Sequence, residues 1–295
     1  MNSQIRFRHI HGFLEIARRG SLSAAANSLN ISQPAVSKNL RELEDILGKQ
    51  LFDRTGRRLV LNGAGRVFQQ HSATAMLELK RAQDLVRNGP AEKTRLAVGL
   101  MPSVATDRFP RAALRFQAAF PDTILRIATG PNWQLLNQLR DGTLDMVVGR
   151  MPDPGKMEGL SFQQLAVEEV VATVRPEHPL LKSRFHADAL TVYPLIVPPM
   201  GALIHPVVNA YLLNNGLQNI QPAFENVSLA FGRKVVILSD AIWFISKSVI
   251  GDDLLSGALT TLPLKSPMLA GAVGICLREN TVLGDEISGL IAALS

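Results

Sequence analysis

Helical spacing of apolar residues is the clearest pattern in the first third of the chain. Between residues 33 and 47 the apolar positions recur every three or four residues, so they share one face of a helix and leave the other face polar. These positions are Val36, Leu40, Leu43 and Leu47. A shorter helix is predicted before them, because Ala25, Ala26 and Leu29 form a face of small residues that a second helix can cross closely.

The polar residues around these two segments predict where each helix begins. Ser23 is placed to cap the short helix and Ser32 to cap the longer one. Pro34 falls in the first turn of the longer helix, where a missing N–H costs nothing. Asn30 and Ile31 are then the turn, and the whole predicts two crossing helices.

A second helical pattern follows between residues 64 and 87. Its apolar positions lie close to a heptad seam and are Phe68, Ala75, Leu79, Ala82 and Val86. Such a helix is roughly 36 Å long at about 1.5 Å per residue, and Asn88, Gly89 and Pro90 end it. It either packs on its own domain or pairs with a partner subunit, and its position between two domains favours the dimer.

From Arg95 onward short apolar runs alternate with helical patterns, which is typical of a parallel α/β sheet. Predicted strands cover residues 95–100, 124–128, 146–149, 195–197, 242–245 and 271–277. Predicted helices cover residues 111–120, 133–140, 206–215, 229–238 and 283–294. Residues 165–174 have an almost continuous strand pattern, which interrupts the alternation of strands and helices. This interruption predicts two lobes joined by crossing strands, and the last strand and helix are predicted to return to the first lobe.

Charge is distributed unevenly along the chain. Residues 1–90 contain 14 Lys and Arg against 7 Asp and Glu, a net charge of +7, whereas residues 91–295 contain 17 against 18, a net charge of −1. A basic segment of this kind is the electrostatic footprint of a phosphate-binding module. The first third is therefore predicted to bind nucleic acid.

The polar face of the helix predicted at residues 33–47 carries the residue types that read base edges in the major groove. An ordinary solvated helix face is the alternative, and the basic turn at residues 54–58, which follows the core anchor Phe52, makes it less favoured. That turn is typical of a wing that reaches phosphates or the minor groove. The predicted DNA-binding residues are Ser23, Ser32, Gln33, Pro34, Ser37, Lys38, Arg41, Arg54, Arg57 and Arg58.

Four motifs in this region resemble the N-terminal domain of the LysR-type transcriptional regulators. They are AAxxL at residues 25–29, SQPAVS at 32–37, LRELE at 40–44 and LFDRTGRRLVLNGAG at 51–65. The resemblance implies an all-α winged helix-turn-helix domain (residues 1–63), a linker and dimerisation helix (64–90) and an α/β effector domain similar to the periplasmic binding proteins (91–295). Lobe 1 of that domain covers residues 91–167 and 268–295, and lobe 2 covers 168–267.

The resemblance also implies a function. Such a regulator binds an inverted-repeat operator in double-stranded DNA as a homodimer or homotetramer, responds to a small-molecule effector, activates nearby genes and represses its own; RNA polymerase is a further expected partner. An architectural DNA-binding protein without effector is an alternative.

Ligands of α/β sheets bind beyond the carboxyl ends of the strands, where helix N-termini offer free N–H groups. Serine and threonine hydroxyls there hydrogen-bond a ligand, and arginine pairs with a carboxylate. The predicted effector-binding residues are Pro102, Ser103, Val104, Thr129, Gly130, Arg150, Pro199, Gly201, Ala202, Ser228, Arg233 and Ser246.

Residues 231–250 resemble one branch of the family in particular. They are similar to regulators of protocatechuate catabolism through the β-ketoadipate pathway and to a regulator of a galactose-binding protein. The first implies an aromatic-derived carboxylate as effector, the second a neutral sugar. The carboxylate is favoured here, and the sugar stays open as the alternative.

Other classes of protein fit the sequence less well. The motifs GxSxG, HExxH and the P-loop are absent, and the single Cys276 builds neither a disulfide nor a cysteine metal site, so we expect no enzyme, cofactor or metal. Cys276 itself is predicted to be a buried small hydrophobe. A solute-binding protein would carry an export signal, but here Arg6, Arg8 and His9 are not followed by the apolar core of such a signal. No apolar run approaches the ~20 residues of a membrane span, so we predict a cytoplasmic protein.

Overall fold

A computed structural model describes residues 5–55, 58–88, 94–264, 266–279, 281 and 283–295 of the chain. The helices are α1 (Phe7–Arg19), α2 (Leu22–Leu29), α3 (Gln33–Leu47), α4 (Gly63–Asn88), α5 (Pro102–Ala105), α6 (Arg108–Ala119), α7 (Asn132–Arg140), α8 (His205–Asn214), α9 (Leu229–Leu238), α10 (Gly251–Leu255) and α11 (Asp285–Leu294). The strands are β1 (Phe52–Thr55), β2 (Arg58–Leu61), β3 (Thr94–Leu100), β4 (Thr123–Thr129), β5 (Met146–Arg150), β6 (Leu160–Val174), β7 (Leu195–Val197), β8 (Phe224–Glu225), β9 (Ile242–Ser246), β10 (Thr260–Thr261) and β11 (Ala270–Arg278).

The chain divides into two compact units. One comprises Met1–Lys93, Leu136–Leu144 and Arg278–Asn280, and the other comprises Thr94–Leu135, Asp145–Leu277 and Thr281–Ser295.

The core of the N-terminal unit lies between α1, α2, α3 and the β1–β2 hairpin. Phe13 is fully buried and its ring lies 5.4 Å from that of Phe52 and 5.1 Å from that of Phe68. The predicted stripe of α3 faces this core, with Val36, Leu40 and Leu43 buried. β1 and β2 are antiparallel, pairing Phe52 with Leu61, and form the predicted wing.

Helix α4 is one residue longer at each end than predicted. Phe68 packs against the N-terminal core, but the rest of the predicted seam is exposed. Leu79 is 43% and Val86 is 87% exposed. Beyond the first turns of α4, the seam residues Ala75, Leu79, Ala82 and Val86 are therefore left unburied by the part of the chain that the structure describes.

The larger unit is built on a mixed sheet. Among the described residues nine strands join in the order β4-β3-β5-β11-β6-β9-β7-β8, with β10 on β6. β4, β3 and β5 are parallel to one another, as are β9, β7 and β8. β11 runs antiparallel to β5 and β6 antiparallel to β9. The prediction of a parallel sheet is thus right within each half and wrong where the crossing strands β6 and β11 join them.

Each half of this sheet has its own apolar core. One core combines β3, β5 and β11 with α6 and α11, and the other combines β6, β7 and β9 with α8 and α9. All six predicted strands lie within one residue of observed boundaries, and the C-terminal strand and helix return to the first half as predicted. Cys276 is buried on β11, as predicted.

Strand β6 belongs to both halves of the sheet. Near its start, Ser161 Oγ donates to the carbonyl of Leu277 on β11 at 3.5 Å. Near its end, residues 170–173 pair with β9. Among the described residues, no helix has the length and apolar character needed to cross a bilayer.

Candidate DNA-reading face and effector site

Serine side chains cap both helices of the N-terminal motif. Ser32 Oγ accepts from the N–H of Ala35 at 3.4 Å and Pro34 lies in the first turn, so α3 begins as predicted. The predicted cap of α2 is wrong by two residues. Because α2 begins at Leu22, its cap is Ser21, whose Oγ accepts from the N–H of Ala24 at 3.4 Å.

Ser23 instead lies inside α2, where its side chain reaches the tip of α3. Its Oγ donates to Gln33 Oε1 at 2.9 Å, and both residues are exposed. This bond holds the amide oxygen of Gln33 and leaves its NH₂ group, which has two donors, pointing elsewhere. Two of the predicted DNA-binding residues are therefore linked to each other.

The predicted reading face of α3 is solvent-accessible. Gln33, Pro34, Lys38 and Arg41 are exposed and Ser37 is half-buried, whereas the opposite face is in the core. On that inner side Glu44 is buried, and its Oε1 accepts from the N–H of Leu51 at 2.8 Å. The same helix is thus fixed by its core side and free to contact DNA on the other.

An ionic cluster joins α1 to α3 beside this face. The N–H of Arg6 donates to Nδ1 of the buried His9 at 3.3 Å, and the other ring nitrogen, Nε2, lies 2.9 Å from Glu42 Oε2 and 3.4 Å from Arg8 Nε. Arg8 Nη2 lies 3.1 Å from the same oxygen, and Lys38 Nζ lies 3.9 Å from Oε1. Hydrogen bonds from His9 and Arg8 hold the pKa of the Glu42 carboxyl below its usual value.

The wing adds positive charge on the same unit. Arg58 begins β2 and is exposed, as expected for a phosphate contact. Arg57 and the side chain of Arg54 lie outside the described residues. The roles of these three arginines stay predictions.

In the larger unit, strand ends bring several predicted effector residues together. β3, β4 and β5 are parallel, and α5 begins directly after β3, with the N–H of Met101 donating to the carbonyl of Val148 at 3.0 Å. Gly149 makes this close approach feasible, because a Cβ there would lie 2.4 Å from that of Met101. Ser103 on α5 and Arg150 at the end of β5 are both buried.

Ser248 connects these residues to the second half of the sheet. It lies in the 3-10 turn Lys247–Ile250 after β9, and its Oγ is 2.5 Å from the carbonyl oxygen of Ser103. The same Oγ contacts Glu168 Oε1, which also accepts from the N–H of Ser248 at 3.3 Å. The hydroxyl of the buried Ser246 also acts on Glu168 and lowers the pKa of its carboxyl. We call Ser103, Arg150, Glu168, Ser246 and Ser248 the polar cluster.

Three side-chain atoms of the polar cluster are buried without a hydrogen-bond partner among the described residues. They are Ser103 Oγ, Arg150 Nη1 and Glu168 Oε2. Buried polar groups are normally hydrogen-bonded, and leaving one unpaired costs about 1–3 kcal/mol. These three atoms make the polar cluster the candidate site for a small polar ligand.

Burial also sets the electrostatics of the polar cluster. It lowers the pKa of the Arg150 guanidinium and raises the pKa of the Glu168 carboxyl, although each group favours the charged form of the other. The two act on each other through space, yet they form no ion pair within 4.0 Å in the described part of the chain. Gly271 packs on the guanidinium, since a Cβ there would lie 2.2 Å from Arg150 Nη2.

Several predicted effector residues lie outside the polar cluster. Val104 is a residue of the apolar core, because its side chain is buried against β3 and β5. Arg233 Nε donates to Asp253 Oδ1 at 2.7 Å, and its role as a ligand cation stays a prediction. The remaining positions lie at strand ends or helix starts, are exposed or half-buried, and stay predictions: Pro102, Thr129, Gly130, Pro199, Gly201, Ala202 and Ser228.

Glu168 and Ser248 were not predicted. Glu168 lies in the strand pattern LAVEEVVATV, where the neighbouring Glu169 is exposed. Successive strand residues point to opposite faces, so one of two adjacent acidic residues has to face inward. That alternation was the available signal, whereas no local pattern distinguishes Ser248.

Comparisons with known proteins cover nearly the whole chain. Residues 7–66 match the bacterial regulatory helix-turn-helix protein, lysR family, and residues 90–295 match the LysR substrate binding domain. The chain is 40% identical over 300 residues to the HTH-type transcriptional regulator PcaQ of Agrobacterium fabrum, covering 100% of this chain and 95% of that protein. It is 30% identical over 294 residues to the uncharacterized regulator YdcI of Escherichia coli K12, covering 99% and 96%.

A solved structure shows the same architecture. Full-length LysG from Corynebacterium glutamicum with bound effector Arg superposes with a TM-score of 0.64 at 17% identity, covering 97% of this chain and 95% of that one. At this identity the likeness concerns the fold.

Proposed function

Because the chain belongs to the LysR family of transcriptional regulators, we propose that α3 reads an inverted-repeat operator and that a small carboxylate bound at Ser103 and Arg150 controls this activity. The bounds that we assign are residues 1–63 for the DNA-binding domain, 64–90 for the linker helix and 91–295 for the effector domain.

The DNA-reading role is supported by the exposed face of α3. Gln33, Ser37, Lys38 and Arg41 combine amide, hydroxyl and cationic donors at the tip and along one side of a helix whose other side is fixed in the core. Two such faces on a two-fold axis match an inverted repeat. The exposed seam of α4 supplies the surface through which two chains pair in that dimer. Two such dimers associate to form the alternative assembly, a tetramer.

The effector role rests on one observation: Arg150 Nη1 and Ser103 Oγ are both buried and lack a hydrogen-bond partner among the described residues. A carboxylate accepts from both groups, and pairing with it compensates the burial of the guanidinium charge. The predicted branch of the family, regulators of protocatechuate catabolism, fits the 40% identity to PcaQ. Activation of nearby genes and contact with RNA polymerase are part of the same proposal.

Thermal unfolding of the full chain with and without ligands tests the effector site. We expect 3,4-dihydroxybenzoate to raise the melting temperature of the wild type and of the control Arg126→Ala, whose arginine is exposed on β4, but not that of Arg150→Ala. Stabilisation by galactose and not by carboxylates would instead support the sugar-responsive alternative. Equal stabilisation of Arg150→Ala by carboxylates would show that Arg150 does not bind them.

A further inference from the structure

The hydroxyl of Ser248 lies between two oxygen atoms, and this geometry has a consequence for Glu168. Ser248 Oγ is within hydrogen-bond distance of the carbonyl of Ser103 and of Glu168 Oε1. A serine hydroxyl has one proton to donate, and a main-chain carbonyl only accepts. One arrangement gives each contact its own proton: Ser248 donates to the carbonyl of Ser103, and Glu168 Oε1 carries a proton that it donates to Ser248.

Burial of Glu168 favours its neutral form, whereas hydrogen bonds with Ser248, the hydroxyl of Ser246 and the charge of Arg150 favour the carboxylate. Arg150 is the one charged group found to act on Glu168, and it is too far away for an ion pair within the described residues. Burial dominates and raises the pKa of the carboxyl. With Glu168 neutral, Arg150 provides the net charge of the polar cluster, so an anionic ligand meets attraction without a competing carboxylate.

We propose that protonated Glu168 determines specificity in this site, by accepting a hydrogen bond at its free Oε2 from a hydroxyl on the effector. The effector is then a hydroxylated carboxylate: its carboxylate pairs with Arg150 and Ser103, and its hydroxyl donates to Glu168. Each of the three unpaired atoms obtains a partner in this arrangement. The inference rests on the proposed carboxylate site and adds to it the second group that the ligand must carry.

Matched ligands that differ by a hydroxyl test the inference in the full chain. Isothermal titration compares benzoate with 3-hydroxybenzoate, 4-hydroxybenzoate and 3,4-dihydroxybenzoate, and succinate with malate. We expect the wild type to bind at least one hydroxylated member about tenfold or more tightly than its parent, because the parent leaves Glu168 Oε2 unpaired.

Two substitutions of Glu168 separate its charge from its hydrogen bonds. Glu168→Gln retains a donor for Ser248 and an acceptor for the ligand without a titrating group, so the hydroxyl preference should survive. Glu168→Leu removes both and should bind parent and hydroxylated ligands equally. Glu169→Gln, at the exposed neighbouring position on β6, is the matched control and should behave as the wild type.

The proton on Glu168 is tested by pH. A raised pKa means that Glu168 loses its proton above its ordinary pKa of 4.5, and the resulting charge repels a bound carboxylate. Wild-type affinity for the preferred ligand should therefore fall as pH rises through the raised pKa, by up to about tenfold per pH unit, while the affinity of Glu168→Gln stays flat.

The outcomes separate this inference from the proposed function. The role of Glu168 would be rejected, and the carboxylate site kept, if carboxylates bound through Arg150 without preferring the hydroxylated ligands. The same conclusion would follow if the Glu168→Leu variant kept that preference. A pH profile shared by the wild type and Glu168→Gln would overturn its protonation. If none of the carboxylates bound the wild type, both the carboxylate site and the role of Glu168 would be rejected.

Discussion

The reading face of α3 and the polar cluster use polar side chains in opposite ways. On the reading face the polar residues are exposed or half-buried, come from the neighbouring helices α2 and α3, and include one pair already linked by a hydrogen bond, Ser23 and Gln33. In the polar cluster they are buried or half-buried, come from β5, β6, β9, α5 and the turn after β9, and three of their atoms lack hydrogen-bond partners among the described residues. A long polymer is recognised by a prearranged surface, whereas a small ligand is recognised by completing hydrogen bonds that the fold leaves open.

The largest expected effect tests whether the two regions can be separated. Phe13→Ala removes a fully buried ring that contacts Phe52 and Phe68, and it should destabilise the N-terminal core by about 3–5 kcal/mol. Operator binding in a gel-shift assay should be lost while carboxylate binding by titration persists. Phe7→Ala, on the exposed side of the same helix, should preserve both. Loss of ligand binding together with DNA binding would show that the two regions depend on each other.

The next effect distinguishes base reading from phosphate contact within the reading unit. Arg41→Ala should reduce operator affinity by about 1–3 kcal/mol, and it should reduce the difference in affinity between operator and non-specific DNA. Arg58→Ala should weaken all DNA about equally and reduce the salt dependence of binding. Fluorescence anisotropy with operator and scrambled duplexes at several salt concentrations measures both. Unchanged selectivity in Arg41→Ala would place the base-reading contacts elsewhere on the helix.

A smaller effect concerns the acid stability of α1. Burial alone would raise the pKa of Glu15, but hydrogen bonds from Arg18, Arg19 and Ser28 outweigh it and lower the pKa to about 2. A lowered pKa stabilises the folded state above pH 4.5, and this contribution is lost as pH falls from 4.5 towards 2. Because the arginines are partly solvated, Glu15→Gln should cost about 1 kcal/mol at pH 7. Urea unfolding measures this at pH 7 and pH 3. The difference in free energy of unfolding between the wild type and Glu15→Gln should be smaller at pH 3 than at pH 7.

The smallest effect tests whether the reading face is prearranged. Ser23→Ala removes the hydrogen bond to Gln33 and should lower operator affinity by about 0.5–1 kcal/mol. In a double-mutant cycle with Gln33→Ala, the two losses should be less than additive. Additive losses would mean that Ser23 and Gln33 contact DNA independently.

Sequence patterns predicted these two regions unequally, for a physical reason. Helices α2, α3 and α4, the turn and the wing of the N-terminal unit follow from local spacing, whereas α1 was not predicted and the choice of Ser23 as a cap was wrong. In the larger unit the six predicted strands were found because their patterns are also local, but the two-residue strands β8 and β10 were not predicted. The polar cluster depends on which side chains meet across strands, so Ser103 and Arg150 were found at strand ends while Glu168 and Ser248 were missed.

The position of Glu168 on β6 bears on how an effector signal would travel. Before Glu168 the strand lies beside β11, and after it the strand pairs with β9, so this residue is at the point where β6 passes from one half of the sheet to the other. A ligand held between Arg150 and Glu168 bridges β5 to this shared strand. Ligand binding would then act directly on the strand that joins the two halves of the sheet.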